Sequence, residues 1–536
     1  MTLPEVLSIG RPRLTAGLDR SPRLDLAAHR AVFGPPPYLQ AGPLIEIAEQ
    51  VDLRGRGGAA FPLARKLRAV QESAQDGRGK TVILVNAAEG EPGSAKDKTL
   101  LARSPHLVLD GAVLAAMALN AKRIVVAAAG EGPHLDSIRA AATANQGLAR
   151  LVRVLTVPER FVSGEGGALV SAASGKAALP PGRKVRASER GVAGLPTLLS
   201  NAETFAQLAA LAMLGPEGYA SAGIPDEPGT VLLTVGGSAG RPAVVEVPTG
   251  TPLGAVLDIC AAAPEEGVLI GGYHGMWLPA ELAYQVPVSR AGLAAAGGTL
   301  GAGVVLALGQ GSCPLGEVAR VTAYLAKESS GQCGPCMLGL PAIARSVAAL
   351  AQGSGGVDAL DVARRAAAAV RGRGACGHPD GVFNFVVSAL DVFADDLSAH
   401  LFRGSCGRPV HGILPLGPTG ADKRLMVDWT RCRGHGLCAH LVPELIQLDG
   451  QGYPVPLDMP VPAWLSREAA QAVEMCPALA LRLAGPPAKA RAAALPRPEP
   501  VGQATIPSAG PDDDTDEFWA QDLIVSESWI DEISSG

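Results

Sequence analysis

Apolar and polar positions in the first half of the chain alternate between short β-rich runs and longer helical stretches. The runs at residues 81–85, 123–127 and 152–156 are typical of buried strands, and segments 106–119 and 134–143 are typical of helices. This alternation predicts a layered α/β domain with a largely parallel, Rossmann-like sheet. Because such sheets bind ligands at the carboxyl ends of their strands, the loops after the first and third strands are candidate binding sites.

The pattern changes in the middle of the chain, where short strands and turns predominate. Strand-like runs lie at residues 230–235, 244–247, 268–270 and 304–308, with one helix at 252–262. This order predicts a small β-rich α+β domain that resembles a β-grasp. Residues 316–401 are then helical, apart from loops that contain cysteines.

These changes in pattern divide the chain into several domains, because 536 residues exceed one compact core. We predict a multidomain α/β protein with a Rossmann-like α/β domain at 1–228, a β-grasp domain at 229–310, a helical domain at 311–403, a C-terminal α+β domain of ferredoxin size at 421–485 and a disordered acidic tail at 486–536. Residues 404–420, rich in Gly and Pro, are predicted to be a linker. The tail is expected to be solvated, with docking of a partner protein as the alternative.

Composition and charge exclude some classes of function. The chain is 47% hydrophobic and 18% charged, as in folded globular proteins, and its net charge of −5 offers no field to attract a phosphate backbone. We therefore exclude nucleic-acid binding. The first residues do not form a signal-peptide pattern, and no window reaches about 18 uninterrupted apolar residues. The expected location is cytoplasmic, with peripheral attachment to a membrane through a partner left open.

Six of the nine cysteines form groups with the spacing of iron ligands. In a chain without a secretory signature, such groups are typical of metal or cluster ligands rather than of disulfides. The first group is Cys333, Cys336 and Cys376, and the second is Cys432, Cys438 and Cys476. Two separate sites in one chain indicate an electron path.

A glycine-rich turn precedes the first predicted strand. Gly55, Gly57 and Gly58 lie where a backbone can approach a ligand closely, and a proline follows that suits the first turn of a helix. Free N–H groups at such a helix start can hold a phosphate. The basic side chains available to neutralise it are Arg54, Arg56 and Lys66. A purely structural turn is the alternative.

Three further segments carry polar groups near the expected ligand edge of the sheet. The loop Asn86–Ser94 follows the first strand and holds two carboxylates, Glu89 and Glu91, beside an amide. The loop Ser163–Gly167 follows the third strand, and Ser200–Thr204 begins a helix.

Together, these four segments and the first cysteine group resemble the flavin- and NADH-binding 51 kDa subunit of respiratory complex I and its relatives in hydrogenases and formate dehydrogenases. The resemblance runs from about residue 42 to residue 400 and includes the order and spacing of the motifs. It implies FMN and NAD(H) as cofactors, a Rossmann-like flavin domain and a helical iron–sulfur domain. It also implies partners, namely other redox subunits and a membrane redox protein.

The resemblance assigns roles to individual residues. Glu89 and Glu91 are implied to lie near the flavin edge and the nicotinamide ring, and we treat them as the catalytic pair. The implied cofactor-binding residues are Gly55, Arg56, Gly57, Gly58, Phe61, Lys66, Asn86, Gly164, Glu165, Arg183, Asn201 and Thr204.

Departures from the family pattern cluster on the nucleotide side. Ala69 and Arg186 stand where the family has aromatic residues on both sides of the adenine, and Gly166 replaces a Glu. Stacking contributes roughly 1–3 kcal/mol per base where it has been measured in nucleic-acid sites, so NADH is expected to bind more weakly or differently. Arg183, with Lys184 and Arg186, could hold a 2′-phosphate and favour NADP(H). A solvated basic loop is the alternative.

The first cysteine group resembles the family's cluster motif, but one thiolate is missing. Ser330 occupies the position of the first cysteine, while Cys333, Cys336 and Cys376 remain. Four thiolates are usual for a [4Fe–4S] cluster, so Ser330 or His378 is the candidate fourth ligand. A [3Fe–4S] cluster and a redox dithiol without metal are alternatives. Cys313 ranks behind both candidate ligands.

The second group resembles the small single-cluster ferredoxins over about residues 428–483. Cys432, Cys438 and the Cys476-Pro477 pair match their pattern, with His435 at the middle position, as in ferredoxins that serve cytochromes P450 and usually hold [3Fe–4S]. Either a [3Fe–4S] or a [4Fe–4S] cluster is therefore predicted. Zinc is the alternative, although three cysteines and one histidine at these spacings do not match the usual finger pairs.

Two functional hypotheses follow. In the first, the chain oxidises NAD(P)H through FMN and passes electrons via an internal cluster to its own ferredoxin cluster. In the second, the nicotinamide site has decayed and the chain is a non-catalytic electron-transfer subunit that exchanges electrons with a partner protein. The absent aromatic residues favour the second hypothesis, and the retained Glu89, Glu91 and Lys66 favour the first.

Overall fold

The computed structural model describes residues 3–75, 79–144, 146–182, 185–417, 424–443, 445–455, 458–461 and 466–484. These residues fall into two compact units, one up to residue 417 and one from residue 424. Arg183, Lys184 and the predicted tail at 486–536 lie outside the described residues.

The larger unit contains both β-strands and α-helices, which are numbered in chain order. Its strands are β1 (Glu5–Ser8), β2 (Thr81–Ala87), β3 (Ala121–Ala129), β4 (Val152–Val157), β5 (Thr197–Asn201), β6 (Gly223–Ile224), β7 (Glu227–Pro228), β8 (Thr230–Gly237), β9 (Ala243–Pro248), β10 (Gly267–Ile270), β11 (Met276–Pro279) and β12 (Val304–Leu308). Its helices are α1 (Leu26–Phe33), α2 (Ala41–Gln50), α3 (Leu63–Gln75), α4 (Lys96–Arg103), α5 (Pro105–Ala118), α6 (Pro133–Ala142), α7 (Gln146–Leu151), α8 (Gly166–Ala173), α9 (Ala187–Arg190), α10 (Ala202–Ala220), α11 (Leu253–Ile259), α12 (Ala280–Gln285), α13 (Arg290–Ala295), α14 (Pro314–Lys327), α15 (Leu340–Ala351), α16 (Gly356–Val370), α17 (His378–Val392) and α18 (Ala394–Arg403).

A four-stranded parallel sheet forms the first layer, in the order β4-β3-β2-β5. The predicted strands β2, β3 and β4 and the helices α5 and α6 are confirmed. The sequence pattern does not predict strand β5, because this strand is only five residues long and α10 begins directly after it. Helices α5 and α10 cross closely, since a side chain at Gly111 would lie 1.9 Å from the Phe205 carbonyl oxygen.

A mixed six-stranded sheet follows, in the order β1-β9-β8-β12-β10-β11. Strand β1 pairs with β9 in parallel, which joins residues 5–8 to this sheet. The predicted boundary of the first domain, 1–228, is therefore wrong at its N-terminal end. A four-residue strand at a sheet edge depends on a partner more than 230 positions away, and local patterning does not reveal such a partner.

Helices α14–α18 pack against the six-stranded sheet and share one hydrophobic core with it. Trp277 on β11 contacts Phe393 with ring centroids 4.9 Å apart, and Phe385 on α17 lies against both Tyr273 and Trp277. Leu306 on β12 belongs to the same core. The predicted division at residue 311 thus separates two kinds of secondary structure that share one core.

Residues 404–417, which we call the strap, return along the helical region instead of forming a linker. The buried carboxylate of Glu317 accepts hydrogen bonds from the amides of Gly412 at 2.6 Å and Ile413 at 3.1 Å. The Cys313 amide donates to the Pro409 carbonyl at 2.8 Å. The linker prediction is wrong over these residues because a Gly- and Pro-rich segment can be ordered by a buried acceptor elsewhere in the chain.

The smaller unit contains two short sheets and two helices among its described residues. Its elements are β13 (Arg424–Val427), α19 (Leu437–Leu441), β14 (Gln447–Leu448), β15 (Pro454–Val455), β16 (Asp458–Pro460), α20 (Ser466–Glu474) and β17 (Leu481–Ala484). Strands β16, β13 and β17 form an antiparallel sheet, and β14 and β15 form a hairpin. Residues 449–453 form the turn of this hairpin, where the Asp449 carboxylate accepts from the amides of Gln451 and Tyr453.

Across the described ranges, no single helix is long and apolar enough to cross a membrane. Helices α4 and α5 reach that length and composition only together, and they are bent by 95° relative to each other. Helix α5 is buried along nearly its whole length, which is what a core helix of this composition requires.

Candidate functional site

The glycine-rich turn closes on itself before α3. The Gly55 amide donates to the Phe61 carbonyl at 3.0 Å, and Gly58 adopts a φ of 105° that favours glycine. Among the described residues, the exposed N–H groups of Gly57 and Gly58 have no hydrogen-bond acceptor. These two N–H groups are therefore available to an anionic ligand, as the phosphate-binding prediction requires.

Arg56 and Lys66, predicted to contact the cofactor, make protein contacts instead. The Arg56 guanidinium is buried 3.7 Å from the Glu227 carboxylate, and its amide donates to the Thr204 hydroxyl at 2.9 Å. The Arg56 side chain also donates to the Thr230 carbonyl at 3.4 Å, so it holds the turn against β7 and β8. The Lys66 ammonium donates to the Leu199 carbonyl at 3.0 Å, and burial lowers its pKa.

Glu89 caps a helix. Its carboxylate accepts hydrogen bonds from the Ser94 hydroxyl at 2.6 Å and from the amides of Asp97 at 3.0 Å and Lys98 at 2.8 Å, at the start of α4. Burial and the nearby Asp97 charge raise its pKa. Because three donors already occupy this buried carboxylate, the structure favours a positioning role for Glu89 over direct contact with a substrate.

Glu91 has a free oxygen. Its Oε2 accepts from the Tyr273 amide at 2.9 Å, while its buried Oε1 has no partner among the described residues. Burial raises the pKa of Glu91 to about 8. A buried carboxyl with one unpaired oxygen can hydrogen-bond a ligand, so Glu91 is the better placed of the two predicted catalytic residues.

The second and third loops pack together through glycines. A side chain at Gly90 would lie 2.3 Å from the Phe161 carbonyl oxygen, and one at Gly164 would lie 2.4 Å from the Ala88 carbonyl oxygen. The Asn86 amide group donates to the Gly164 carbonyl at 2.9 Å. Close backbone packing therefore explains these glycines without reference to a ligand.

A buried ion network that sequence reasoning missed lies behind the loops. The Lys96 ammonium is 2.9 Å from both the Asp97 and Glu203 carboxylates and 3.0 Å from the Asn201 side-chain oxygen. Burial lowers the pKa of Lys96, but the two carboxylates outweigh this effect and raise it. Asn201, a predicted cofactor residue, caps α10 through the Glu203 amide. The run Lys96-Asp97-Lys98 was the only signal in the sequence, since charged residues are rarely buried without partners.

Glu165 lies on the third loop, which adjoins the helical region that carries the first cysteine group. Its carboxylate caps α8 by accepting from the Ala168 amide at 3.0 Å. Burial raises the pKa of Cys376, and the Glu165 charge raises it further. The same loop also contacts the helical region through the Phe161 amide, which donates to Glu328 at 3.0 Å.

The first cysteine group lies in the helical region together with Ser330. Burial and the neighbouring thiols of Cys333 and Cys376 raise the pKa of Cys336 to about 12, and a hydrogen bond with Ser330 opposes this effect. Ser330 and Cys336 are buried, and the π-helical turn Pro335–Gly339 carries the second thiol. Ser330 and Cys333 therefore lie beside Cys336.

His378, the other candidate ligand, has both ring nitrogens engaged. Nε2 lies 2.9 Å from the Leu325 carbonyl oxygen, and Nδ1 lies 2.9 Å from Nε2 of His274. Burial lowers the pKa of His378 to about 4 and that of His274 well below its ordinary range. With no free nitrogen in this arrangement, His378 is a poorer iron ligand than Ser330.

The second cysteine group lines a pocket in the smaller unit. Cys432, His435, Cys438 and Cys476 all face a concavity with an empty volume of about 370 Å³. The Cys476 sulfur accepts from the Ala480 amide at 3.3 Å, as expected for a thiolate ligand. Three soft donors around one open space suit an iron–sulfur cluster.

Among the described residues, few side chains are placed to hold a nucleotide on the side of the site where NAD(P)H is expected. Phe61 is 41% exposed, and the Arg65 guanidinium lies 5.2 Å from its ring centroid. Arg186 is exposed and pairs with Glu189 at 3.2 Å. Since Arg183 lies outside the described residues, the 2′-phosphate site stays a prediction.

The residues present fit a flavin. Three buried polar atoms around the loops have no partner among the described residues: Ser163 Oγ, Ser200 Oγ and Glu91 Oε1. Buried polar atoms are normally hydrogen-bonded, so unpaired atoms on segments that end or follow β2, β4 and β5 are consistent with a polar ligand at the carboxyl ends of these strands.

Comparison with known protein families matches three regions of the chain. Residues 48–210 match the Nuo51 FMN-binding domain, and residues 316–400 match the NADH-ubiquinone oxidoreductase-F iron–sulfur binding region. Residues 425–483 match a 4Fe-4S single cluster domain. These regions coincide with the parallel sheet, the helical region and the smaller unit.

Similar proteins support the same assignment. The F subunit of the NADH-quinone oxidoreductase of Mycobacterium tuberculosis H37Rv is 28% identical over 385 residues, covering 68% of this chain and 85% of that protein. Its counterpart in Streptomyces coelicolor is 28% identical, covering 68% and 84%. The crystal structure of an NAD+-reducing [NiFe]-hydrogenase in the air-oxidised state superposes with a TM-score of 0.67 at 28% identity, covering 75% of this chain and 68% of that chain. Residues 48–210 and 316–400 are therefore similar to the flavin-binding and iron–sulfur regions of the 51 kDa NADH-oxidoreductase subunits, and residues 425–483 are similar to a single-cluster iron–sulfur domain.

Proposed function

We propose that the chain is an NAD(P)H-oxidising flavo-iron–sulfur oxidoreductase that passes electrons from FMN via its internal cluster to its ferredoxin-type cluster. The observation that carries this proposal is the contact between the third loop and the first cysteine group. The Phe161 amide donates to Glu328 at 3.0 Å, and the Phe161 ring lies 5.4 Å from the ring of His378, two residues after Cys376. If these loops hold FMN and the cysteines hold a cluster, this contact would bring the two redox groups near each other.

Bound FMN supplies the chemistry, since it accepts a hydride and releases electrons singly. The residues of the chain hold and orient it. The Gly57 and Gly58 amides are proposed to bind its phosphate, and the Ser200 hydroxyl provides a further donor. Glu91 presents its unpaired oxygen to the nicotinamide carboxamide, and Glu89 fixes the loop through α4. No nucleophile is required.

A second candidate function rests on a specific observation, the absence of aromatic side chains at Ala69 and Arg186. In that case the chain is a non-catalytic electron-transfer subunit, and a partner protein delivers the electrons. Anaerobic addition of NADH and then NADPH to the flavin-loaded chain separates the two functions. Flavin bleaching by either nucleotide supports the dehydrogenase, whereas bound flavin that neither nucleotide bleaches contradicts it.

We propose Ser330 as the fourth ligand of the internal cluster. The alternative is a [3Fe–4S] cluster with three thiolates. Ser330→Ala is expected to change the cluster EPR spectrum and to lower its iron content, while Ser329→Ala, a matched change at the neighbouring buried serine, leaves both unchanged. Identical spectra for the two variants would exclude Ser330 as a ligand.

We further propose an identity for each domain of the chain. The parallel sheet is the Rossmann-like flavin domain, the six-stranded sheet is the β-grasp domain, and the smaller unit is the ferredoxin domain, with His435 at the position of the absent thiolate. Other redox subunits are proposed as partners because the similar proteins bear the name of a subunit. A membrane redox protein is a proposed partner as well, with the chain on the cytoplasmic side.

A further inference from the structure

Three side chains that neither cysteine pattern includes meet in the helical region. Cys313 precedes α14, His400 lies on α18, and Cys406 lies on the strap. One donor atom from each lies within 4.8 Å of the other two, and Cys313 Sγ is 3.3 Å from His400 Nε2. We propose that these three residues form a zinc site, separate from both iron–sulfur sites.

The separations suit a single ion. Zinc–sulfur bonds of about 2.3 Å and zinc–nitrogen bonds of about 2.0 Å in a tetrahedral site place ligand atoms about 3.5–3.8 Å apart. The 3.3 Å between Cys313 Sγ and His400 Nε2 lies just below this range, and the other two separations are at most 4.8 Å. An ion therefore requires only small side-chain adjustments of Cys313, His400 and Cys406.

The chemistry of the three donor atoms favours zinc over metals that prefer oxygen ligands. Two thiolates and one imidazole are soft or borderline ligands that suit zinc and exclude calcium and magnesium, which prefer oxygen. Two thiolate charges also neutralise one divalent ion. These residues supply three of the four ligands of a tetrahedral site, and water or a further donor would supply the fourth.

Neighbouring groups favour the thiolates. The Gly316 amide, in the first turn of α14, donates to Cys313 Sγ at 3.3 Å. Arg408, two residues after Cys406, pairs with the carboxylates of Asp396 and Glu266. Outer groups of this kind commonly orient metal ligands.

The site would fasten the strap. Cys406 lies near the start of the strap, and its later residues are held by Glu317. An ion shared by Cys313, His400 and Cys406 therefore ties α14, α18 and the strap at one point. We infer a structural role, because none of the proposed flavin contacts belongs to these elements.

Metal analysis of the full-length, cluster-loaded chain tests the proposal. After gel filtration with a mild chelator, the zinc content of Cys406→Ala and of His400→Gln should be lower than that of the wild type by about one ion per chain, with iron unchanged. Cys260→Ala, which removes a buried thiol outside all three cysteine groups, should retain the zinc. Zinc that remains unchanged in both site variants overturns the proposal.

A second measurement covers variants that fold poorly. Cobalt added to the metal-stripped wild-type chain should give thiolate-to-cobalt absorption that Cys406→Ala reduces and Cys260→Ala does not. An intact mass showing a Cys313–Cys406 disulfide in the freshly isolated chain, with no site-dependent zinc, also overturns the proposal. Zinc that remains bound to the ferredoxin-type cysteines is common to all variants and cancels in the difference.

Discussion

At the scale of single residues, the loops contain two kinds of polar side chain. Some stabilise the fold, and others remain available to a ligand. The polar atoms of three predicted site residues are engaged in helix caps, backbone contacts and ion pairs, namely those of Glu89, Arg56 and Asn201. By contrast, Glu91 keeps one buried oxygen unpaired among the described residues. Motif spacing predicted all four as neighbours of one site. It could not separate their roles, because hydrogen-bond saturation depends on partners distant in sequence, such as Tyr273 for Glu91.

Glu91→Gln should remove one component of the pH dependence of stability. The pKa of Glu91 rises from 4.5 to about 8 on folding, so its contribution to stability is fully present below pH 4.5 and is lost as pH rises towards 8. The variant, with no ionisable group there, should become more stable relative to the wild type across this window. Chemical unfolding at several pH values measures the effect, and parallel curves would contradict the assignment.

Gly164→Ala should disturb the packing of the two flavin loops. The added methyl would lie 2.4 Å from the Ala88 carbonyl oxygen, so the backbone must move, at an expected cost of about 1–3 kcal/mol in the free energy of unfolding. Flavin content should fall with it. Gly42→Ala is the matched control, since nothing lies within 4 Å of its added carbon. Equal flavin content in both variants would show that the close loop contact is not needed.

At the scale of elements, the strap shows how a segment of loop composition becomes ordered. Glu317 receives hydrogen bonds from Ser312, Arg320 and three strap amides, all on one buried carboxylate. The composition of residues 404–417 predicted a linker because Gly and Pro weaken regular structure. The acceptor that orders them lies on α14, about 95 positions earlier.

Glu317→Gln should loosen the strap. Hydrogen bonds to a charged group contribute about 1.5–3 kcal/mol each, so we expect a loss of at least this size in the free energy of unfolding. Burial raises the pKa of Glu317, but its hydrogen bonds outweigh burial and lower the pKa below 4.5. The wild-type advantage should therefore be present at neutral pH and disappear as pH falls below about 4.5.

Hydrogen exchange of the strap amides provides the measurement. Faster exchange at Gly412 and Ile413 in the variant, with unchanged exchange in the parallel sheet, is the expected result. Glu328→Gln serves as a comparison, because Glu328 is also buried in the helical region but bonds the third loop. Unchanged strap exchange in Glu317→Gln would show that other contacts hold the strap.

At the scale of the whole molecule, the chain combines two compact units. The larger unit holds the flavin-type loops and the first cysteine group, and the smaller unit holds the second group in its own pocket. Each unit has its own hydrophobic core, which is the requirement for independent folding.

A chain truncated after residue 417 should therefore keep its flavin and internal cluster. We expect unchanged flavin content and unchanged bleaching by NAD(P)H, with loss of only one EPR signal, that of the ferredoxin-type cluster. Cys438→Ala in the full-length chain is the matched variant, since it removes one ligand and keeps the domain. Loss of flavin on truncation would show that the larger unit depends on the smaller one.

The sequence alone determined the strand–helix order of the flavin region, the motifs of its loops and both predicted cluster sites, because periodicity and short motifs are local properties. Only the tertiary structure placed β1 in the six-stranded sheet, turned the predicted linker into the strap and brought Cys313, His400 and Cys406 together. It also distinguished Glu89, which caps a helix, from Glu91, which keeps an oxygen unpaired among the described residues. Each of these outcomes depends on contacts between distant segments, whose energies do not appear in any local window of sequence.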